Sequence, residues 1–272
     1  MIDSALKYFY RALIQYKGTH YCGWQVQTTG IPTIQGTLEK MLQKLGQSPI
    51  VHVMGSGRTD AGVHALGQVA RLGLTVKIPT EGLKRGLNSV LPDDIRVKEI
   101  ELCDECFHPQ FHAKWKTYYY LFTSKELTAF NTEFVSSVYT DINFAKVPEA
   151  LALFKGSHDF KRYQCTGTPI KNTVREMFDL QVYPHIPPEL GLPNWPDVMA
   201  FKVTGSGFLK QMVRLMAGTV FEYARGKLTL ESIRNSLLTI PQVIEATAQH
   251  EKRHLAPVAS PQGLYLFEVG YL

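Results

Sequence analysis

IVHVMGSGRTDAGVHALGQVARLGLTV, Ile50 to Val76, is two strand-like runs around a glycine-rich loop. Ile50 to Met54 and Gln68 to Val76 are rich in branched apolar residues, which suit the pleated, half-buried surface of a sheet. The loop between them holds Gly55, Gly57, Gly62 and Gly67 and is much longer than a hairpin turn requires. Working outward, Phe9 to Tyr16 reads as a strand, and Thr33 caps Ile34, Leu38, Met41, Leu42 and Leu45 at helical spacing. On the other side Thr80 opens a helix through Leu83, Leu87 and Leu91, and Ile95 to Leu102 alternates as a strand. The order is β-α-β-β-α-β, the ferredoxin-like unit.

The second half runs the same way in outline. A strand at Lys116 to Thr123, a helix around Val147 to Phe154, and strands at Arg175 to Tyr183 and Val198 to Thr204 lead to a helix from Phe208 to Arg225 and a strand at Leu264 to Tyr271. The expected fold class is therefore α+β with two ferredoxin-like halves, residues 1–110 and 111–272, although no sequence repeat relates them. Between two of these strands, PHIPPELGLPNWP at Pro184 to Pro196 takes five of the 15 prolines. Proline cannot serve a central ladder, so this is a long, stiffened hairpin, read as a surface loop in preference to a substrate-gripping one.

The N-terminal stretch MIDSALKYFYRALIQYKG carries Asp3, Lys7 and Arg11 without a long apolar run, so neither a signal peptide nor a membrane span is expected and a cytoplasmic home is. Twenty-nine Lys and Arg against 24 Asp and Glu leave a net charge of only +5, compatible with a polyanionic partner without requiring one. The distribution is more telling. Phe107 to Lys125 holds three lysines, among them Lys114 and Lys116, and no carboxylate; Lys202 to Arg234 holds six basic residues, among them Lys210 and Arg214, against Glu222 and Glu231. Such clusters are either solvated faces or phosphate contacts. Four cysteines without a secretory signal point to reduced thiols. Cys103, Cys106, His108 and His112 have a superficially zinc-like pattern, but the spacing is too compressed for a finger, and no metal is expected.

Asp60 is the lone carboxylate of the glycine loop, one residue after Arg58-Thr59. As a turn residue it would bond its own backbone; as part of a shaped site, an arginine nearby would keep it ionised. A single acid argues against glycosidase chemistry, which pairs two, and against metal nucleases, which gather several. Tyr118 and Tyr120 share one strand face and Tyr119 takes the other; one face is core, and the tyrosines read as core packing in preference to a stacking surface for a flipped base. In GFLKQMVRLMAG, Gly207 to Gly218, the apolar stripe of Phe208, Met212, Leu215 and Met216 reads as core. Arg214 sits awkwardly beside it, either at the surface with a buried stem or reaching inward to an acid.

Taken together, YKGTHYCGWQVQ (Tyr16 to Gln27), TIQGTLE, GSGRTDAGVHALGQV, LNSVLPDDI, the Phe107-His108 pair, GSHDF, GFLKQMVR and QGLYLFEVGY resemble the tRNA pseudouridine synthase A family over nearly the whole chain. The sequence departs from the family pattern at His112, Trp115, Thr117 and Tyr119 and in the longer proline-rich hairpin. The resemblance implies an isomerase that converts uridine to pseudouridine at positions 38, 39 and 40 of the tRNA anticodon stem-loop, with no cofactor. It implies that Asp60 is the essential carboxylate, Arg214 its charge partner, Tyr118 the ring stacked on the target uracil, Arg58 the residue that helps displace the uridine, and Leu264 an apolar wall. Lys114, Lys116 and Lys210 are the candidate tRNA contacts. It further implies a pseudouridine synthase fold, its two halves fused into one continuous, mostly antiparallel sheet, and a homodimer that binds tRNA across a basic cleft.

Overall fold

A computed structural model describes residues 5–27, 30–165, 172–238 and 254–271. The fold is α+β, and its ladders are mostly antiparallel. The chain packs as two compact units: residues up to Lys116 together with those from Tyr265 onward, and residues from Thr117 to Leu264.

The first unit contains β1 (Tyr8–Tyr16), α1 (Ile34–Gly46), β2 (Val51–Gly55), β3 (His64–Leu74), α2 (Thr80–Val90) and β4 (Ile95–Leu102). This is the expected β-α-β-β-α-β order. β1 pairs antiparallel with both β3 and β4, and β2 pairs antiparallel with β3 from Val51↔Leu74 to Gly55↔Ala70. Thr33 caps α1, its side chain accepting from Gly36 N–H, and the helix buries Ile34, Leu38 and Leu42. Leu83 and Leu87 are the matching buried row of α2. Both helices thus turn an apolar stripe inward, while β1 alternates, burying Tyr10, Ala12 and Ile14.

The second unit contains most of β5 (Trp115–Thr123), then β6 (Ser136–Ser137), α3 (Val147–Ala152), β7 (Gly156–Asp159), β8 (Val174–Tyr183), β9 (Met199–Gly205), α4 (Met212–Ala224) and α5 (Leu230–Ser236). Its strands lie in the order β5-β9-β8-β7, with β6 parallel to β5. Tyr120 stacks on Phe201 at 5.4 Å and 15°, and Phe122 and Phe221 close the same aromatic cluster. Met212 and Met216 are buried, as the helical stripe requires. The proline-rich hairpin is anchored: Ile186 and Leu190 are buried and Glu189 accepts from the Tyr119 hydroxyl at 2.8 Å.

Three boundaries differ from the sequence reading. The division falls after Lys116, not at residue 110, and the last strand, β10 (Leu264–Gly270), packs mainly with the first unit. There it runs parallel to the start of β3, Tyr265↔His64 and Leu266↔Ala65, and Lys114 N–H donates to Gly270 O at 2.9 Å. β3 itself begins at His64, four residues before Gln68, because that early segment is held by β10 and by the Tyr16↔Ala65 pair. α4 begins at Met212, four residues after Phe208, because Gln211 adopts a left-handed φ of 64° that interrupts the apolar stripe. Among the described residues no helix is long and apolar enough to cross a membrane.

Candidate active site

The loop between β2 and β3, residues 56–63, is shaped by the segment that follows β1. Ser56 N–H donates to Val69 O at 2.8 Å, and Trp24 N–H donates to Thr59 O at 3.1 Å. Gly62, at φ 79°, donates to Tyr21 O at 3.4 Å, and Val63 N–H closes a turn on Asp60 O at 3.2 Å. Two glycines of the floor are there because the loop presses on them. A Cβ on Gly23, itself at φ 80°, would stand 2.4 Å from Thr59 O, and one on Gly18 would stand 2.0 Å from Val63 O. Asp60 is half-buried and Arg58 exposed on this fixed backbone.

Behind the loop lies a row of buried polar side chains that no sequence pattern singled out. Thr59 Oγ1 is 2.8 Å from the Tyr16 hydroxyl, Ser56 Oγ donates to Gln68 Oε1 at 2.6 Å, and Gln68 Nε2 donates to Gly57 O at 2.9 Å. Burial pushes the Tyr16 phenol well above its ordinary value, against the hydrogen bonds from Thr59 and Gln68, so it stays neutral. His64 belongs to the scaffold: it is buried, its Nδ1 accepts from Gly18 N–H at 3.1 Å, and it stacks on Tyr265 at 4.8 Å. Tyr16 and Gln68 do fall inside the two motifs nearest Asp60, which was the available signal.

The lysines separate. Lys114 is exposed, whereas Lys116 is 9% exposed and its Nζ donates to Ser56 O at 2.6 Å, which makes it a support of the loop. Lys210 is exposed in the second unit, and its carbonyl accepts from Cys165 N–H at 3.1 Å. Around the cysteine and histidine cluster, His108 Nδ1 accepts from Gln110 and Phe111 N–H, and His112 Nδ1 from His108 N–H, so these rings close a turn.

The remaining candidates sit in the second unit. Tyr118 is buried on β5 and meets Phe208 edge-on at 4.9 Å and 76°. Tyr120 is core, and its hydroxyl donates to Ser260 O at 2.9 Å. Arg214 is half-buried in the first turn of α4, its Nε donating to Ala259 O at 2.7 Å. Leu264 is buried at the start of β10.

A single acid on a glycine loop, braced from behind by a buried polar row, suits chemistry in which one carboxylate acts without a second. Residues 12–112 and 150–272 match the family model described as tRNA pseudouridine synthase. The chain belongs to this family. The tRNA pseudouridine synthases are isomerases that convert uridine to pseudouridine, and this chain is an enzyme of that kind. It is 36% identical over 261 residues to the tRNA pseudouridine synthase A of an Exiguobacterium species, covering 96% of this chain and 97% of the relative. It is 37% identical to the proteins of the same name from Ruminiclostridium cellulolyticum, over 96% of this chain and 98% of the relative, and Thermodesulfovibrio yellowstonii, over 95% and 97%.

Proposed function

We propose that this isomerase acts on tRNA, converting uridines at positions 38, 39 and 40 of the anticodon stem-loop to pseudouridine, with Asp60 as the essential carboxylate. The observation that carries the reading is the Asp60 loop: a lone acid on a backbone pinned at Ser56, Thr59, Gly62 and Val63, in a chain of this family. The reaction breaks the N1–C1′ bond, forms C5–C1′, releases the C5 proton and protonates N1 in its place, so it needs an anionic carboxylate and a held base but neither net redox nor hydrolysis.

In this reading Arg214 is the charge partner of Asp60, Tyr118 stacks on the uracil, Leu264 walls the site, and Arg58, being exposed, helps displace the uridine from its stack. Lys114 and Lys210 contact phosphates. The enzyme acts as a cytoplasmic homodimer, in which two copies double the +5 charge offered to tRNA. Tritium release from tRNA labelled at uridine C5 tests the assignment. Asp60→Asn is expected to abolish release while tRNA binding stays within about threefold, since phosphate contacts dominate affinity. Persistent release in Asp60→Asn would refute the role of Asp60, and loss of binding along with release would make the residue a binding contact.

A further inference from the structure

The proposed chemistry makes no use of the buried polar row behind the loop. Gln68 on β3 is fully buried. Its Oε1 accepts from Ser56 Oγ at 2.6 Å, and its Nε2 donates to Gly57 O at 2.9 Å and to the Tyr16 hydroxyl at 3.4 Å. An amide nitrogen only donates, so the Tyr16 oxygen is the acceptor there, and the same hydroxyl is hydrogen-bonded to Thr59 Oγ1, 2.8 Å away. One amide and one phenol thereby fix residues 56, 57 and 59, with Arg58 held between two of them and Asp60 directly after. Lys116 adds a further tie, its Nζ donating to Ser56 O at 2.6 Å. The side chains of Tyr16, Ser56, Thr59, Gln68 and Lys116 are all buried, so a loop that shifts leaves donors or acceptors unpaired out of water.

We propose that Gln68, acting partly through Tyr16, is a positioning residue that holds Arg58 and Asp60 in their reactive placement; this rests on the reading of Asp60 as the catalytic carboxylate. Neither residue touches substrate. Their effect belongs to kcat, because a displacement of about 1 Å in a reacting group lowers turnover about 100-fold.

The test pairs Gln68→Leu with Tyr16→Phe. The second removes one oxygen and keeps the ring beside Trp24, at 6.1 Å, so it keeps the question answerable if Gln68→Leu does not fold. Tritium release is read as kcat and KM separately, alongside a thermal melt and hydrogen exchange of the amides of residues 56–63. Expected are a kcat loss of about 100-fold in Gln68→Leu and about tenfold in Tyr16→Phe, with KM within about threefold in each. The double variant is expected to be no worse than Gln68→Leu, because both act on one chain. Loop amides are expected to exchange about tenfold faster while those of β1 and β4 do not change. Wild-type kcat in both variants, or activity lost only in proportion to unfolded protein, overturns the proposal. Should the unaltered protein release no tritium from tRNA, the catalytic reading fails by itself, and the exchange measurement then decides: unchanged loop exchange in both variants overturns the positioning role.

Discussion

Arg214 exchanges two hydrogen bonds with Ala259, its Nε to Ala259 O at 2.7 Å and Ala259 N–H to its own carbonyl at 3.1 Å. The second survives any side-chain change, and the first, which Arg214→Ala removes at a half-buried position, is worth about 1 kcal/mol. That predicts a fall in melting temperature of no more than about 4 °C. As the charge partner proposed for Asp60, the same side chain bears on turnover far more, and kcat is expected to fall about 100-fold or further. A melt that collapses in step with activity would reduce Arg214 to a structural tie. Cys103 shows the opposite relation between burial and chemistry. Burial pushes its thiol up to about 11, so the reactive thiolate forms only as pH rises toward that value. Alkylation of Cys103 at pH 8, followed by mass spectrometry, is expected to be at least about tenfold slower than that of an ordinary thiol of pKa about 8.5, and to accelerate up to pH 10. Rapid labelling at pH 8 would show that the half-buried site opens readily.

Two helix glycines make opposite predictions. In α2, a Cβ on Gly82 meets nothing within 4 Å, so Gly82→Ala is expected to stabilise by about 0.5–1 kcal/mol through helix propensity. In α4, a Cβ on Gly218 would lie 2.0 Å from Pro257 O, a backbone atom on the segment that Arg214 also binds. Gly218→Ala is expected to destabilise by about 1–3 kcal/mol despite the same gain in propensity. Urea unfolding of the two variants side by side reads the contrast, and a stabilised Gly218→Ala would mean that the 257–259 segment yields freely. The same distinction between local and distant causes separates what was legible in the sequence from what was not. α1 was legible because Thr33 and the row Ile34, Leu38, Leu42 are local signals, and β4 was found from Ile95 to Leu102 by alternation alone. The start of β3 was not, because His64 and Ala65 are strand residues on account of Tyr265 and Leu266, about 200 positions away in sequence. The start of α4 was hidden by one left-handed residue, Gln211, in an otherwise continuous stripe. At the site, Asp60 and Arg58 stood out in a loop of recognisable motif, whereas Gln68 and Tyr16 read as ordinary strand residues until their amide and hydroxyl were seen behind that loop.

Net charge is a property of the whole chain, but its contribution to tRNA binding depends on where each cation stands. A surplus of +5 would give a weak field if spread evenly, and a strong local one if the exposed lysines alone meet phosphates. Each phosphate neutralised releases counterions, so log K falls with log salt by on the order of 0.7 to 0.9 per contact. Lys114 and Lys210 are exposed and able to make such contacts, and each replacement by alanine is expected to reduce the slope by about that amount without changing kcat at saturating tRNA. Lys116 carries the same formal charge two residues from Lys114, yet its ammonium is bonded to Ser56 O inside the protein. Lys116→Met is therefore expected to leave the salt slope unchanged, to lower stability by about 1–3 kcal/mol through the unpaired Ser56 carbonyl, and to lower kcat by loosening the Asp60 loop. Filter binding of tRNA between 50 and about 300 mM salt, with turnover measured in parallel, separates the three lysines. A reduced slope in Lys116→Met together with an unchanged one in Lys114→Ala would reverse the assignment, because it would place the buried lysine, and not the exposed one, against the RNA.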